Sequence, residues 1–161
     1  MRAEEMFHNY HTLLKERSLL EYQLSRFQGL TETDVIESVT FSHPDGDKVM
    51  TSNKSDKTGK LAVNYGKIQE RYNDEWYDSL LERYRYLSEE FEFFDYAVGQ
   101  LSDYLPELIR DLVVEGIPWG MLEKKYNISH RMVGKARQKA IKEMNDLYEM
   151  RDRQIEQYVL R

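Results

Sequence analysis

Hydrophobic residues recur every three or four positions over much of the chain, the spacing of one face of an α-helix. Residues 4–28 carry this pattern at Met6, Tyr10, Leu13, Leu14, Leu20, Leu24 and Phe27. Residues 61–94 carry it at Leu61, Tyr65, Ile68, Tyr72, Trp76, Leu80, Tyr84, Leu87 and Phe91, as one long helix or two. Neither segment can bury its apolar face alone, so the two are predicted to pack antiparallel.

The segment between these helices, residues 31–58, lacks a helical period and is predicted to be an irregular insert. Its sequence HPDGDK supplies a Pro-Asp-Gly turn, so residues 38–52 form either a short hairpin or a loop. Ser55 and Thr58 are alternative N-caps for the helix that follows.

Shorter helical segments follow residue 94. One helix is predicted near residues 97–101 and another from Pro106 to Gly116, because Pro is tolerated in a first helical turn and Gly favours a helix end. A further short helix begins at Pro118 and is followed by a long final one. The predicted fold is therefore all-α, with a helical bundle and interaction region over residues 1–104 and a second region over residues 105–161.

The junction between the last two helices has specific turn chemistry. Asn127 favours the left-handed conformation that ends a helix sharply, Ile128 is expected to point into the core, and Ser129 is a strong N-cap. The final helix then has an apolar stripe formed by Met132, Val133, Ala136, Ala140 and Ile141, continued by Met144, Tyr148, Ile155 and Tyr158 and broken by Arg151. This helix either folds back on the first helix or pairs with a second chain.

Charge is distributed unevenly along the chain, whose formal net charge is −6. Residues 124–139, KKYNISHRMVGKARQK, contain six Lys or Arg and no acid, whereas residues 74–115 contain twelve acids and three Arg. Such asymmetry between adjacent segments indicates two surfaces with different partners.

The junction also resembles a known motif, through Leu122, Tyr126, Asn127, Ile128, Ser129, Val133 and Ala136, with Gly116 and Trp119 upstream. It is similar to the helix-turn-helix of DNA-binding proteins, and more closely to the promoter-reading C-terminal region of sigma factors. Glu123 departs from the small residue, and Asn127 from the Gly, that this family prefers. The chain as a whole resembles small phage-encoded transcriptional regulators of Gram-positive bacteria, of the RinA and ArpU type.

This resemblance implies that the final helix enters the major groove of double-stranded DNA. The expected base-reading residues are His130, Arg131, Gly134, Lys135 and Gln138. The expected phosphate contacts are Lys124, Lys125, Ser129, Arg137, Lys139 and Lys142. RNA polymerase is a further candidate partner, and a homodimer would suit paired DNA half-sites.

The alternative function is a helical interaction factor that binds a host protein through the acidic 74–115 segment without binding DNA. No motif supports an enzyme, and no cofactor is expected. His8 and His11, one turn from Glu4, lack a fourth ligand, so no metal site is predicted. The absence of Cys, of a long apolar run and of an apolar signal core predicts a cytoplasmic protein without a membrane partner.

Overall fold

A computed structural model describes the backbone of residues 2–29 and 56–160, and the side chains of residues 2–29 and 69–160. The helices are α1 (Ala3–Ser25), α2 (Asp56–Gly99), α3 (Leu105–Ile109), α4 (Trp119–Tyr126) and α5 (His130–Val159), with a π-helical turn at Arg110–Val114 after α3. The described ranges contain no β-strand, which confirms the all-α class. None of their helices is both long and apolar enough to cross a lipid bilayer.

Helix α2 is one continuous helix and extends beyond its predicted limits. It begins at Asp56, so residues 56–58 of the predicted insert are helical and Thr58 lies within the first turn instead of capping it. The separate helix predicted near residues 97–101 is wrong, because α2 continues through buried Ala97 and ends at Gly99. Ser55 and the predicted hairpin at 38–52 lie outside the described residues.

The chain divides into two compact units. The first comprises Met1–Ser18 and Arg85–Arg161, and the second comprises Leu19–Tyr84. These units do not coincide with the predicted regions 1–104 and 105–161, because one core in the first unit draws on several helices. Its fully buried side chains include Met6 from α1, Leu87 and Phe94 from α2, Leu108 from α3, Leu122 from α4 and Val133 and Met144 from α5.

Within the first unit, α1 and α2 pack antiparallel through aromatic side chains. The ring centroids of Phe7 and Phe94 lie 6.1 Å apart, and those of Tyr10 and Phe91 lie 5.1 Å apart. Both pairs meet edge to face, the arrangement that the charge distribution of aromatic rings favours. Higher residue numbers on α1 meet lower ones on α2, which confirms the predicted antiparallel pairing.

The second unit contains an aromatic contact of the same kind. The ring of Phe27 lies 5.2 Å from the rings of both Trp76 and Tyr77. Gly29 has φ of +74°, and a Cβ there would lie 2.6 Å from the Asn73 amide nitrogen. A larger residue at position 29 would therefore meet both backbone strain and a steric clash.

Helix α5 packs beside the beginning of α1, as one of the two sequence-based alternatives expected. The backbone N–H of Ala3 donates to the side-chain oxygen of Asn145 at 3.2 Å. The buried face of α5 consists of Val133, Ala136, Ala140, Met144 and Tyr148. The predicted stripe is wrong at Met132, Ile155 and Tyr158, which are exposed, whereas Ile141 is half-buried.

Arg151 does not simply break this apolar face; it forms an ion pair within it. One guanidinium nitrogen lies 2.9 Å from Oε1 of Glu90, whose side chain is only 6% exposed. The guanidinium also lies over the rings of Phe93 and Tyr148, at 4.4 and 4.9 Å from their centroids. Burial, followed by the charge of Glu90, raises the pKa of the Tyr148 hydroxyl. The pair therefore joins α2 to α5 where the surroundings amplify electrostatic interactions.

Removing one member of this pair is expected to cost more than removing both. Arg151→Met leaves the Glu90 carboxylate buried without a cation, at a cost of about 3 kcal/mol of unfolding free energy. Adding Glu90→Leu to Arg151→Met removes the stranded charge and is expected to restore most of that loss. Urea denaturation of the wild type, both single variants and the double variant measures the coupling. Additive effects of the two substitutions would contradict it.

Candidate nucleic-acid interface

The turn between α4 and α5 is built around Asn127. Its φ and ψ are 51° and 47°, the left-handed region, and its N–H donates to the carbonyl of Glu123. The N–H of Ile128 donates to the same carbonyl at 3.1 Å. Both bonds thus go to one carbonyl of the last turn of α4, where a helix end leaves carbonyl groups short of donors. The predicted left-handed turn at Asn127 is thus confirmed, and Ile128 is half-buried.

Ser129 starts α5 as its N-cap, as predicted. Its backbone is extended, and its side-chain oxygen accepts from the N–H of Met132 at 3.4 Å. Its carbonyl accepts from the N–H groups of Met132 and Val133 at 2.8 and 3.1 Å. The cap fixes the residue at which α5 begins, and it therefore also fixes the positions of His130 and Arg131 in the first turn of that helix.

The left-handed turn is expected to depend on the residue type at position 127. Asn127→Val places a β-branched side chain at positive φ and should lower the unfolding free energy by about 2 kcal/mol. Asn127→Gly should leave stability unchanged or raise it, because Gly adopts this conformation without steric cost. Urea midpoints of the two variants and the wild type provide the measurement. Equal stability of the Val and Gly variants would show that the turn does not require positive φ.

Helices α4 and α5 contact one another through small and aromatic groups. A Cβ placed on Gly134 would lie 3.7 Å from the indole ring of Trp119, so this glycine faces α4. The imidazole of His130 lies 4.9 Å from the same indole, and its Nδ1 lies 3.5 Å from Oε1 of Glu123. Two of the five expected base-reading residues, His130 and Gly134, therefore lie against α4.

Gly134→Ala tests whether packing of α5 against Trp119 requires the absence of a side chain at position 134. A spacing of 3.7 Å is ordinary van der Waals contact, so alanine fits against Trp119. Its helix propensity should raise the unfolding free energy by about 0.5–1 kcal/mol. Thermal melts of Gly134→Ala beside the bulkier Gly134→Leu measure this. A loss of stability in the alanine variant would contradict the spacing.

Asp111, which precedes α4, fixes the end of that helix. Its carboxylate accepts hydrogen bonds from the ammonium of Lys125 and from the hydroxyl of Tyr126, the latter at 2.6 Å. Burial alone would raise the pKa of Asp111, but these two hydrogen bonds lower it below its ordinary value. Burial and the same carboxylate raise the pKa of Tyr126. Sequence reasoning placed Tyr126 in the motif core and missed Asp111, because no short-range pattern links residues this far apart.

Lys139 is held in a second network, at the start of the α3 region. Its ammonium lies 3.0 Å from Asp103 and 3.7 Å from Glu143. The carboxylate of Glu143 also accepts from the backbone N–H and the hydroxyl of Ser102, at 3.0 and 2.8 Å. Burial alone would raise the pKa of Glu143, whereas these bonds and Lys139 lower it. Lys125 and Lys139, both expected phosphate contacts, thus have acidic partners within the chain.

Four of the remaining expected residues of α5 form a row along its outer side. Arg131, Lys135, Gln138 and Lys142 are exposed and are spaced by four, three and four residues, which places them on one side of a helix. Within the described part of the chain, no ion pair involves the three basic members of this row. We call these four residues the outer row.

The other expected phosphate contacts occupy different surroundings. Lys124, near the end of α4, is exposed. Arg137 is half-buried, and its guanidinium lies 5.7 Å from the ring centroid of Phe7. The predicted motif core is packed in part, since Leu122, Val133 and Ala136 are buried and Tyr126 and Ile128 are half-buried.

Comparison with known proteins gives no family assignment. No protein-family model matches the chain, and no curated protein or solved structure matches it either. Among the described residues, no three or more His, Asp or Glu side chains converge as metal ligands do, and His8, His11 and Glu4 form no such group. Functional conclusions therefore depend on the chemistry of α4, its turn and α5.

Proposed function

We propose that the chain is a sequence-specific DNA-binding regulator of transcription that inserts the first half of α5 into the major groove. The observation that carries this proposal is the outer row. Three basic side chains and one amide project from one side of a helix whose opposite side is buried, and the basic members have no acidic partner in the described chain. The buried side fixes the rotation of the helix, so the row stays accessible.

The chemistry of the outer row suits base edges and phosphates. Arg131 and Lys135 lie in the first two turns and can donate to the N7 and O6 acceptors of guanine. Gln138 can form a paired donor and acceptor contact with adenine. Lys142, together with Lys124 on α4, is better suited to phosphates, which position a protein on the duplex. His130 and Gly134 contribute less in this arrangement, because both face Trp119.

The turn between the helices adds support for a helix-turn-helix unit made of α4 and α5. A left-handed residue followed by an N-capping serine lets two helices meet within three residues. A role in transcription, a phage or prophage origin and contact with RNA polymerase belong to the same proposal. They rest on the resemblance of the motif to sigma factors and to small phage regulators.

Fluorescence anisotropy on a mixed-sequence duplex over a series of salt concentrations tests the proposal. The wild type is expected to bind with a slope of log affinity against log salt of about −4, from about four neutralised phosphates. Arg131→Glu combined with Lys135→Glu should abolish binding, because it places two negative charges in the groove. Selection from a random duplex pool then identifies the preferred site.

A matched control distinguishes the contribution of the outer row to DNA affinity from that of the overall net charge. Arg71→Glu combined with Arg153→Glu changes the net charge by the same amount at two exposed positions that already pair with acids on their own helices. Arg153 lies about 33 Å from Arg131 along α5. The control should lose little affinity beyond a general electrostatic effect. Equal losses in the two double variants, or no binding by the wild type at low salt, would overturn the proposal.

The acidic segment favours one alternative function, the binding of a basic partner protein. Of the twelve acids between residues 74 and 115, all except Glu90 and Asp111 are exposed. Solvated acids are also the ordinary outer face of a soluble helix, so they say less about function than the outer row, whose basic members form no ion pair with the residues that the structure describes. Absence of DNA binding in the anisotropy experiment would make this alternative the leading one.

A further inference from the structure

Met132 lies on α5 between the outer row and the buried face of the helix. Its apolar character predicted a buried position, yet 43% of its surface is exposed. At about 100° per residue, Met132 is about 100° around the helix from Arg131, about 60° from Lys135 and about 20° from Lys139. An apolar side chain thus stands at the edge of a basic surface, in the first turn after the N-cap.

The exposure of Met132 distinguishes it from the other apolar residues in the first two thirds of α5. Between His130 and Glu149, all of which the structure describes, Met132 is the only large apolar side chain that is exposed. The core of the first unit does not use it, since the buried face of α5 begins at Val133 and Ala136. Its apolar side chain is therefore accessible to a ligand beside the basic residues of the outer row.

We infer that Met132 contacts the C5-methyl group of a thymine, and so selects an A·T pair beside the bases that Arg131 and Lys135 read. This inference rests on the proposed DNA-binding function and names a specificity determinant within it. The thymine methyl is the apolar group on the major-groove edge of an A·T pair. A methionine side chain is flexible and polarizable, so it adapts to a methyl group without exact shape complementarity.

Deoxyuridine substitution tests this contact directly, because it removes the thymine methyl and retains every hydrogen-bonding group. The probe is the duplex selected from a random pool by the wild-type protein, with each thymine replaced in turn by deoxyuridine. One replacement should weaken wild-type binding by about fourfold, the effect of losing one buried methyl group. Met132→Ala should bind the unmodified duplex more weakly and should not respond to that replacement.

Two further variants complete the comparison. Met132→Leu keeps an apolar side chain and should retain sensitivity to deoxyuridine. Met150→Ala truncates another exposed methionine of the same helix, about 27 Å along its axis, and should behave like the wild type. Circular dichroism of each variant confirms that α5 is still folded.

The outcomes distinguish failure of the thymine contact from failure of the proposed DNA-binding function. Failure of the wild type to bind any duplex would overturn the proposed function, and the thymine contact with it. Sequence-specific binding that no deoxyuridine weakens would overturn the contact alone. A loss that persists unchanged in Met132→Ala would also overturn it, by assigning the methyl contact to another residue. Unaltered affinity of Met132→Ala for the unmodified duplex would overturn the contact as well.

Discussion

The burial of one face of α5 is the constraint on which the candidate interface depends. Val133, Ala140 and Met144 are fully enclosed in the first unit, and a helix cannot rotate without exposing such side chains. Deleting a single buried methionine or leucine side chain typically costs 2–5 kcal/mol, so the rotation of α5 is strongly fixed. The outward direction of Arg131 and Lys135 is a consequence of that packing rather than of their own interactions.

Acidic residues within the chain divide the basic ones into two groups. Asp111 holds Lys125, and Asp103 with Glu143 holds Lys139, so these two lysines stabilise the junctions around α4 and α5. Exposed pairs of this kind contribute little free energy individually. Under the proposed function they would matter more, because a DNA phosphate would have to compete with a carboxylate that is already in place. The sequence contains six basic residues between 124 and 139, and two of them, Lys125 and Lys139, already pair with acids of the chain.

Local chemistry made much of this arrangement predictable from the sequence. Asn127 and Ser129 act within a few residues of their own positions, so their turn and capping roles could be inferred without tertiary information. Met132 could not be placed correctly, because helical periodicity alone does not show how wide the buried face is. Asp111 was missed because its partners, Lys125 and Tyr126, lie 14 and 15 residues away in the sequence, and only the fold brings them together.

Arg151 shows the same limit in a different form. From the sequence, Arg151 was expected to interrupt an apolar line. In the structure it forms an ion pair with the buried carboxylate of Glu90 on α2. The partner, Glu90, is separated from it by 61 positions and belongs to a segment whose other acids are mostly exposed. Neither periodicity nor net charge distinguishes this one acid from its neighbours.

The continuity of α5 has a mechanical consequence. The helix runs for 30 residues, or about 45 Å, without a proline or a break. Its hydrogen-bonded backbone resists twisting, so its two ends turn together. Arg151 and the outer row are therefore parts of one continuous rod, so a rotation of the helix at the ion pair would also turn the outer row.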